Sequence, residues 1–136
     1  MAATEEQTYF LNQLYRDFLL PTILGSDTRD ILYWAGKKIA RQYQLDSAED
    51  LPEFFQIASF GELTLETAKS TKMKFELTGA VVADRLAAKS LEFSLECGVI
   101  AEAVSIGTGH TAETQISVDT KHNVVTFEVV IDTHEE

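Results

Sequence analysis

The chain has one cysteine and two prolines among its 136 residues. A lone Cys97 closes no internal bridge, which excludes a scaffold built on disulfides. Pro21 and Pro52 stand as isolated punctuation, and no repeat, low-complexity tract or Pro/Ser-rich linker divides residues 1–136, so a single domain is expected. Long apolar runs are also missing. Glu or Lys interrupts every apolar stretch well before the length a bilayer span needs.

Positive charge is scarce. Eleven Lys and Arg face 22 Asp and Glu, for a formal net charge of −11, and the acids divide evenly between the two halves. A field of that sign repels phosphate backbones and anionic lipid head groups, so neither nucleic acid nor membrane is an expected partner. The densest basic group, Lys37, Lys38 and Arg41, lies on one helix face without interleaved aromatics and reads as solvated cations near a helix C-terminus. The opening Met-Ala-Ala-Thr-Glu-Glu-Gln-Thr is polar and acidic, unlike a secretory or transit leader. Neither a myristoylation Gly after Met nor a prenylation Cys in the last four residues is present. A cytoplasmic location is the expectation.

What is there is the material of a globular core: 45 % apolar and 24 % charged residues. A chain of this size hides roughly two thirds of its unfolded surface, enough for one core without metal or disulfide staples. Thr4-Glu5-Glu6-Gln7 has the form of a capping box, and Phe10, Leu11, Leu14, Phe18 and Leu19 recur at helical spacing. This predicts a helix over 5–20 with one face buried, ended or kinked at Pro21. Ser26 or Asp27 caps a second predicted helix, reaching Tyr43 with the stripe Ile31, Leu32, Ala35, Ile39, Ala40 and Tyr43. Gly36 within it costs about 1 kcal/mol relative to alanine, which implies close contact with another helix or chain. A third, short helix opens at Asp50-Leu51-Pro52-Glu53 and carries Phe54, Phe55, Ile57 and Phe60 up to Gly61.

From residue 62 the period becomes two. Leu63, Leu65 and Thr67, then Met73, Phe75 and Leu77, alternate with polar residues around a Lys69-Ser70-Thr71 turn. Glu66 is expected to pair with Lys72 or Lys74, and Gly79 to mark a bulge beyond which Val81 and Ala83 continue the inward set. Residues 90–106, with Ser90 as cap, read as a helix that is apolar nearly all round and hence covered on two sides. Gly107 and Gly109 close it. A last hairpin has Thr114, Ile116 and Val118, then Val125, Phe127, Val129 and Ile131 facing inward, with His122-Asn123 in the turn. The order of helices, hairpin, long helix and hairpin predicts an α+β fold: a four-stranded antiparallel sheet with helices packed on one face.

Two segments carry a family resemblance. Leu95-Glu96-Cys97-Gly98-Val99-Ile100-Ala101-Glu102, followed by Gly107, Glu113-Thr114 and Phe127-Glu128-Val129, resembles the closing segment of vinyl-reductase-type small-molecule-binding domains. These are related to subunits of the transport protein particle, a vesicle-tethering complex. Ile31 through Arg41, with Ala35-Gly36 at its centre, resembles the early helix of that superfamily, and the chain is most similar to its YslB-type bacterial members. The resemblance implies a homodimer, with ligand space between helices and sheet in some relatives, and no conserved catalytic machine. Several relatives carry cysteines in the final hairpin; residues 107–136 hold none here, so metal sensing does not carry over.

Candidate chemistry is sparse. Gly107-Thr108-Gly109-His110 follows a helix instead of preceding one, so it reads as a C-terminal cap and not a phosphate cradle. His110 precedes one strand of the last hairpin and His122 sits in its turn, roughly 25 Å away at 3.3 Å per residue. With His134 the three cannot converge on one zinc ion within one subunit; His110 and His134 with Glu135 or Glu136 are the remaining set, solvated surface residues are the favoured reading, and no metal or cofactor is expected. Cys97 reads as a small buried hydrophobe, and acylation of it, known in some tethering relatives, does not map onto this position. Glu92, Glu96 and Glu102 read as a polar strip, with Glu96 the one in need of a buried partner. Tyr33, Trp34, Phe54, Phe55, Phe60, Phe93 and Cys97 can line a small apolar pocket; the same residues equally suit a filled core or a dimer seam, for which Ala35, Gly36 and Ile39 are the candidates.

The reading that follows is a non-enzymatic, homodimeric module that binds a small apolar ligand or a partner protein. Its rivals are a structural subunit of a larger assembly, and an enzyme with an unrecognised site near Cys97 or Glu96.

Overall fold

The computed structural model describes residues 4–133. The capping box forms. Thr4 Oγ1 accepts the Gln7 N–H at 3.1 Å, and the Thr4 N–H donates to Gln7 Oε1 at 2.9 Å. It opens α1 (Glu5–Leu11), which runs without a break through a π-wound stretch, Asn12–Leu19, into α2 (Leu20–Leu24). Pro21 neither ends nor visibly interrupts this run: it falls in the first turn of α2, where its missing N–H is least costly, and Gly25 at φ 62° does the ending. The expectation of a buried apolar face fails here. Thr8, Asn12, Arg16, Leu20 and Leu24 lie toward the protein, while Phe10, Leu11, Leu14, Phe18 and Leu19 face out. The i→i+5 hydrogen bonds widen the turn, so the inward row repeats every fourth residue instead of following the expected stripe.

After a 3₁₀ turn at Gly25–Asp27 comes α3 (Thr28–Gln42), in which Leu32, Gly36 and Ala40 form the buried row and Tyr43 stays exposed. A second 3₁₀ turn leads to α4 (Leu51–Ile57), which buries Leu51 and Phe55 and leaves Ile57 in solvent. Strands β1 (Glu62–Ala68) and β2 (Lys72–Thr78) form the first hairpin. Its register shifts between Leu65 and Thr67, so Glu66 sits at the irregularity and not opposite either lysine.

Gly79 is no bulge. At φ 108° it turns the chain out of the sheet into a helix absent from the sequence reading, α5 (Ala80–Ala87), which buries Val82, Arg85 and Leu86. The long helix, α6 (Ser94–Thr108), starts four residues later than expected, because the Ser90 hydroxyl is engaged elsewhere: it donates to Asp17 Oδ1 at 2.6 Å and accepts from Arg85 Nε at 3.2 Å. The Glu92 carboxylate receives the Ser94 N–H instead, at 2.9 Å. Gly109, left-handed at φ 74°, closes the helix as read. Strands β3 (Thr111–Asp119) and β4 (Val124–Asp132) complete an antiparallel sheet of order β1-β2-β4-β3. In the turn between them the Asp119 carboxylate binds the His122 ring and accepts the Lys121 and His122 N–H groups, which holds its pKa below the usual carboxylate value.

Every residue of α6 from Glu96 to Val104 is buried. One side rests on the sheet through Phe75, Leu77, Val125, Phe127 and Val129. The other is covered by α3 of the same chain, at a glycine crossing. A Cβ at Gly36 would lie 2.2 Å from the Leu95 carbonyl oxygen, and one at Gly98 would lie 2.0 Å from that of Tyr33. Gly36 is therefore committed to α6 of its own chain, not to a seam between copies. Ile39 packs partly on the same core, and Ala35 is half-buried beside it. No described helix is long and apolar enough to cross a membrane.

Candidate ligand-binding site

One groove collects residues that the sequence keeps far apart. Tyr33 comes from the middle of α3, Phe93, Ser94 and Cys97 from the start of α6, and Glu113 to Ile116 from β3, with Arg29 and Asp30 at the rim. Its volume is about 550 Å³, within the range of small-molecule sites. Leu91 and Ile116 are its half-exposed apolar lips.

The polar heart of the groove is Tyr33. Its hydroxyl donates to Glu113 Oε2 and accepts the Thr114 N–H at 3.2 Å. Lys37 Nζ lies 3.3 Å from the other Glu113 oxygen and 4.8 Å from the centre of the Tyr33 ring, so the pair fixes the phenol from two directions. Burial, and then the hydrogen bond to Glu113, push the Tyr33 pKa far above its ordinary value, which keeps the hydroxyl neutral. Thr114 adds a buried Oγ1 with no hydrogen-bond partner among the described residues.

Cys97 forms part of the wall. Burial, reinforced by Glu96 and Glu92, pushes its thiol up from 9.0 to about 12, so the nucleophilic thiolate is suppressed at neutral pH. Two results are expected. At pH 8 an aromatic disulfide reagent labels the native protein at least about a hundredfold more slowly than the denatured chain. Stability also falls as pH climbs from about 9 toward 12, because only the unfolded chain releases the thiol proton in that window. Equal labelling rates would place the thiol in water.

Directly behind the groove lies a buried ionic cluster. Glu96, fully buried, meets Arg16 Nη2 at 2.9 Å and Arg85 Nη1 at 3.2 Å. The Arg85 guanidinium also donates to the Glu92 carbonyl at 2.7 Å and stacks 3.9 Å from the centre of the Phe93 ring. Burial lowers its pKa to about 10 against the opposing pull of Glu96, so it remains charged at neutral pH. Glu102, the third acid of the expected strip, is buried and paired with Arg41. The basic trio is thus occupied within the chain: Lys37 on Glu113, Lys38 over the Trp34 ring at 5.5 Å, and Arg41 on Glu102.

Of the seven residues read as a pocket, Tyr33, Phe93 and Cys97 share this groove. Trp34 does not; it is 59 % exposed on α3 outside the groove, beside Lys37, Lys38 and Arg41. Phe54, Phe55 and Phe60 form a separate aromatic cluster with Tyr43, Phe55 and Phe60 standing edge to face at 5.2 Å. His110 and His122 stand at opposite ends of β3, and His134 lies outside the described residues. Sequence reasoning missed Arg16, Arg85 and Thr114 as participants. The signal for Arg16 is its place in the polar row Thr8-Asn12-Arg16; that for Arg85 is hidden by the reading of Val81 and Ala83 as an inward set continuing beyond a bulge at Gly79.

Helices, hairpin, two helices and hairpin around a groove lined by α3, α6 and β3 make a fold shared with several solved structures. A vinyl-4-reductase family protein from Methanocaldococcus jannaschii superposes with a TM-score of 0.68 at 16 % identity, over 95 % of this chain and 88 % of that one. The phenol-responsive sensory domain of the transcription activator PoxR, solved with phenol, gives 0.63 at 13 % identity over 96 % and 84 %. A trafficking protein particle complex subunit 3 from Naegleria fowleri, covalently bound to palmitic acid, gives 0.52 at 12 % identity over 95 % and 93 %. At the level of sequence, residues 9–130 match the family described as protein of unknown function DUF2507, and the chain belongs to that family. It is 37 % identical over 125 residues to Uncharacterized protein YslB of Bacillus subtilis (strain 168), covering 91 % of this chain and 84 % of that protein.

Proposed function

We propose that the chain is a non-enzymatic small-molecule-binding module, working as a homodimer, whose guest occupies the groove between Tyr33, Phe93, Cys97 and Thr114. The observation that carries this reading is the Thr114 hydroxyl, buried in the wall of an open groove without a protein partner. Buried hydroxyls rarely stay unpaired, because the lost hydrogen bond to water costs about 1–3 kcal/mol. Its Oγ1 is closed to solvent in the empty groove, so a guest recovers that cost where rotation of the Thr114 side chain turns the hydroxyl toward it.

The rest of the wall defines the guest. Phe93, Leu91, Ile116 and the protonated Cys97 favour an apolar body, while the Tyr33 hydroxyl and Thr114 supply neutral hydrogen bonding. Asp30, Glu92 and Glu113 outnumber Arg29 and disfavour an anion. A small, uncharged, largely apolar molecule with one hydroxyl or carbonyl group fits best. The fold-related PoxR sensory domain, solved with phenol, makes phenol a reasonable first probe. A protonated Cys97 is a poor nucleophile, which favours binding over covalent catalysis.

Phenol and substituted phenols, titrated against the native protein, are expected to raise its melting temperature. Tyr33→Phe combined with Thr114→Val should weaken such binding about 10- to 100-fold while the empty protein melts nearly unchanged. Protein purified from cells should also release a small apolar molecule into organic solvent, detectable by mass spectrometry. Empty extracts, together with no response to any uncharged aromatic probe, would defeat the ligand-binding reading.

A further inference from the structure

The sheet has two free edges, and the fold treats them differently. At β1 the register shifts between Leu65 and Thr67, and α4 packs against the strand. Irregularities and coverings of this kind keep an edge from pairing with another chain. At β3 there is no irregularity: Thr111 to Asp119 pair residue by residue with β4, and no proline, glycine or lysine interrupts them. Successive residues of an antiparallel strand direct their backbone groups to opposite sides. The Thr114 N–H leaves the sheet to meet the Tyr33 hydroxyl, so the backbone groups of Ile116 and Val118 also face off the free edge. Tyr33 caps that edge at Thr114 alone. Among the described residues nothing bonds the N–H or C=O of Ile116 or Val118, and Gln115, Ile116 and Ser117 are exposed.

We infer that the β3 edge from Ile116 to Asp119 is a docking site for an extended segment of a partner protein in which apolar and basic residues alternate. The segment adds a strand to the sheet, and its main chain takes up the open N–H and C=O groups. The two faces of β3 set the alternation. Ile116 and Val118 lie on the inner face, opposite Phe127 and Val125 of the core, and Ile116 is 40 % exposed. Side chains that the added strand turns to that face are therefore apolar. Gln115, Ser117 and Asp119 lie on the outer face, where Glu128 stands opposite Gln115. Glu113 and Asp119 are the only charges on β3, and the cations Lys72 and Lys74 belong to β2, two strands in from this edge. Basic residues complement that outer face, on a chain whose net charge is −11. A second copy of the chain fits less well: antiparallel pairing of two β3 edges about Ile116 sets Glu113 opposite the other copy's Asp119 at both ends. The docking edge stands apart from the guest proposed above, because it rests on main-chain groups beyond the Tyr33 cap.

Fluorescence anisotropy on the full chain tests this with a short labelled peptide in which Lys and Val alternate. The peptide is expected to bind saturably, and a Glu-Val peptide of the same length at least about tenfold more weakly. Methylation of alternate peptide nitrogens separates main-chain pairing from side-chain contact. One of the two alternating sets should weaken binding at least about tenfold, and the other should leave it unchanged. Ser117→Lys, an exposed change on the outer face of β3, should also weaken binding about tenfold, whereas Thr64→Lys on the outer face of β1 should not. Both positions are in water, and unchanged melting confirms that the variants fold. No saturable binding, or an equal loss from both methylated sets, overturns the added strand. Equal binding of the Glu-Val peptide overturns the basic partner. A wild type that ignores the peptide, sediments as a dimer and is dispersed by Ser117→Lys gives the edge to a second copy instead.

Discussion

Replacing Gly98 with alanine should destabilise the protein by about 3 kcal/mol or more, at the upper end of what overpacking a core costs. The added methyl would stand 2.0 Å from the Tyr33 carbonyl oxygen and 3.1 Å from the Gly36 Cα. Both obstacles are backbone, so no side-chain rotation relieves the clash. The helices must part, and parting them uncovers the most apolar element of the molecule, buried continuously from Glu96 to Val104. Gly36→Ala should behave alike, with contacts of 2.2 Å and 2.8 Å to the Leu95 carbonyl oxygen and the Val99 nitrogen. Gly109→Ala is the control. It is left-handed, with φ 74° and ψ 13°, and has nothing within 4 Å, so only backbone strain of about 1 kcal/mol is expected. Urea titrations of the three variants give the comparison, and a Gly98→Ala protein as stable as Gly109→Ala would disprove the close crossing.

The second large effect concerns Glu96. Removing its carboxylate as Glu96→Ala should cost about 3–5 kcal/mol, the usual penalty for leaving a buried countercharge alone. Arg85 is the reason. Its side chain is 3 % exposed and has no route to water, although Ser90 and the Glu92 carbonyl still hold it in place. Arg16→Leu should cost less, about 1–2 kcal/mol, because Glu96 keeps Arg85 as its partner. Its more specific effect is on the N-terminal run, which loses its ionic anchor to α6. Hydrogen exchange should then quicken in residues 5–24 and stay slow in α6. Replacing Glu96, Arg85 and Arg16 together by Leu, Met and Leu should recover much of the lost stability, since a fully apolar filling leaves no charge stranded. If Glu96→Ala alone proved neutral, the cluster would have to be hydrated.

The parts of this structure that were legible in the sequence are those where one physical rule acts alone. Alternation in residues 62–78 and 124–131 gives the strands, because half-buried antiparallel strands obey a period of two; in the edge strand β1 the inward set stops at Leu63, and Leu65 and Thr67 are exposed. The all-round apolar character of residues 95–104 implies two covers, and the fold supplies them as sheet and α3. Illegible parts are those where rules compete. Phe10, Leu14 and Phe18 have the spacing of a core face, yet the Arg16–Glu96 pair turns the opposite face inward. Gly79 sits in an alternating pattern, but its positive φ releases the chain into α5, a helix short enough to pass for strand. For the candidate site, apolar bulk is the signal that marks Tyr33, Phe93 and Cys97 in the sequence. Thr114 carries no such signal, because nothing local marks a hydroxyl that folding will strand in a groove wall.

The crossing of Gly36 and Gly98 has a mechanical consequence for the groove. Tyr33 stands directly over it, and its main chain already touches α6 with no slack beneath. Pressure from an incoming molecule therefore cannot be absorbed by compressing the two helices. Whatever gives way must be on the far bank, where the side chains of Leu91 and Ile116 still have open space to swing into.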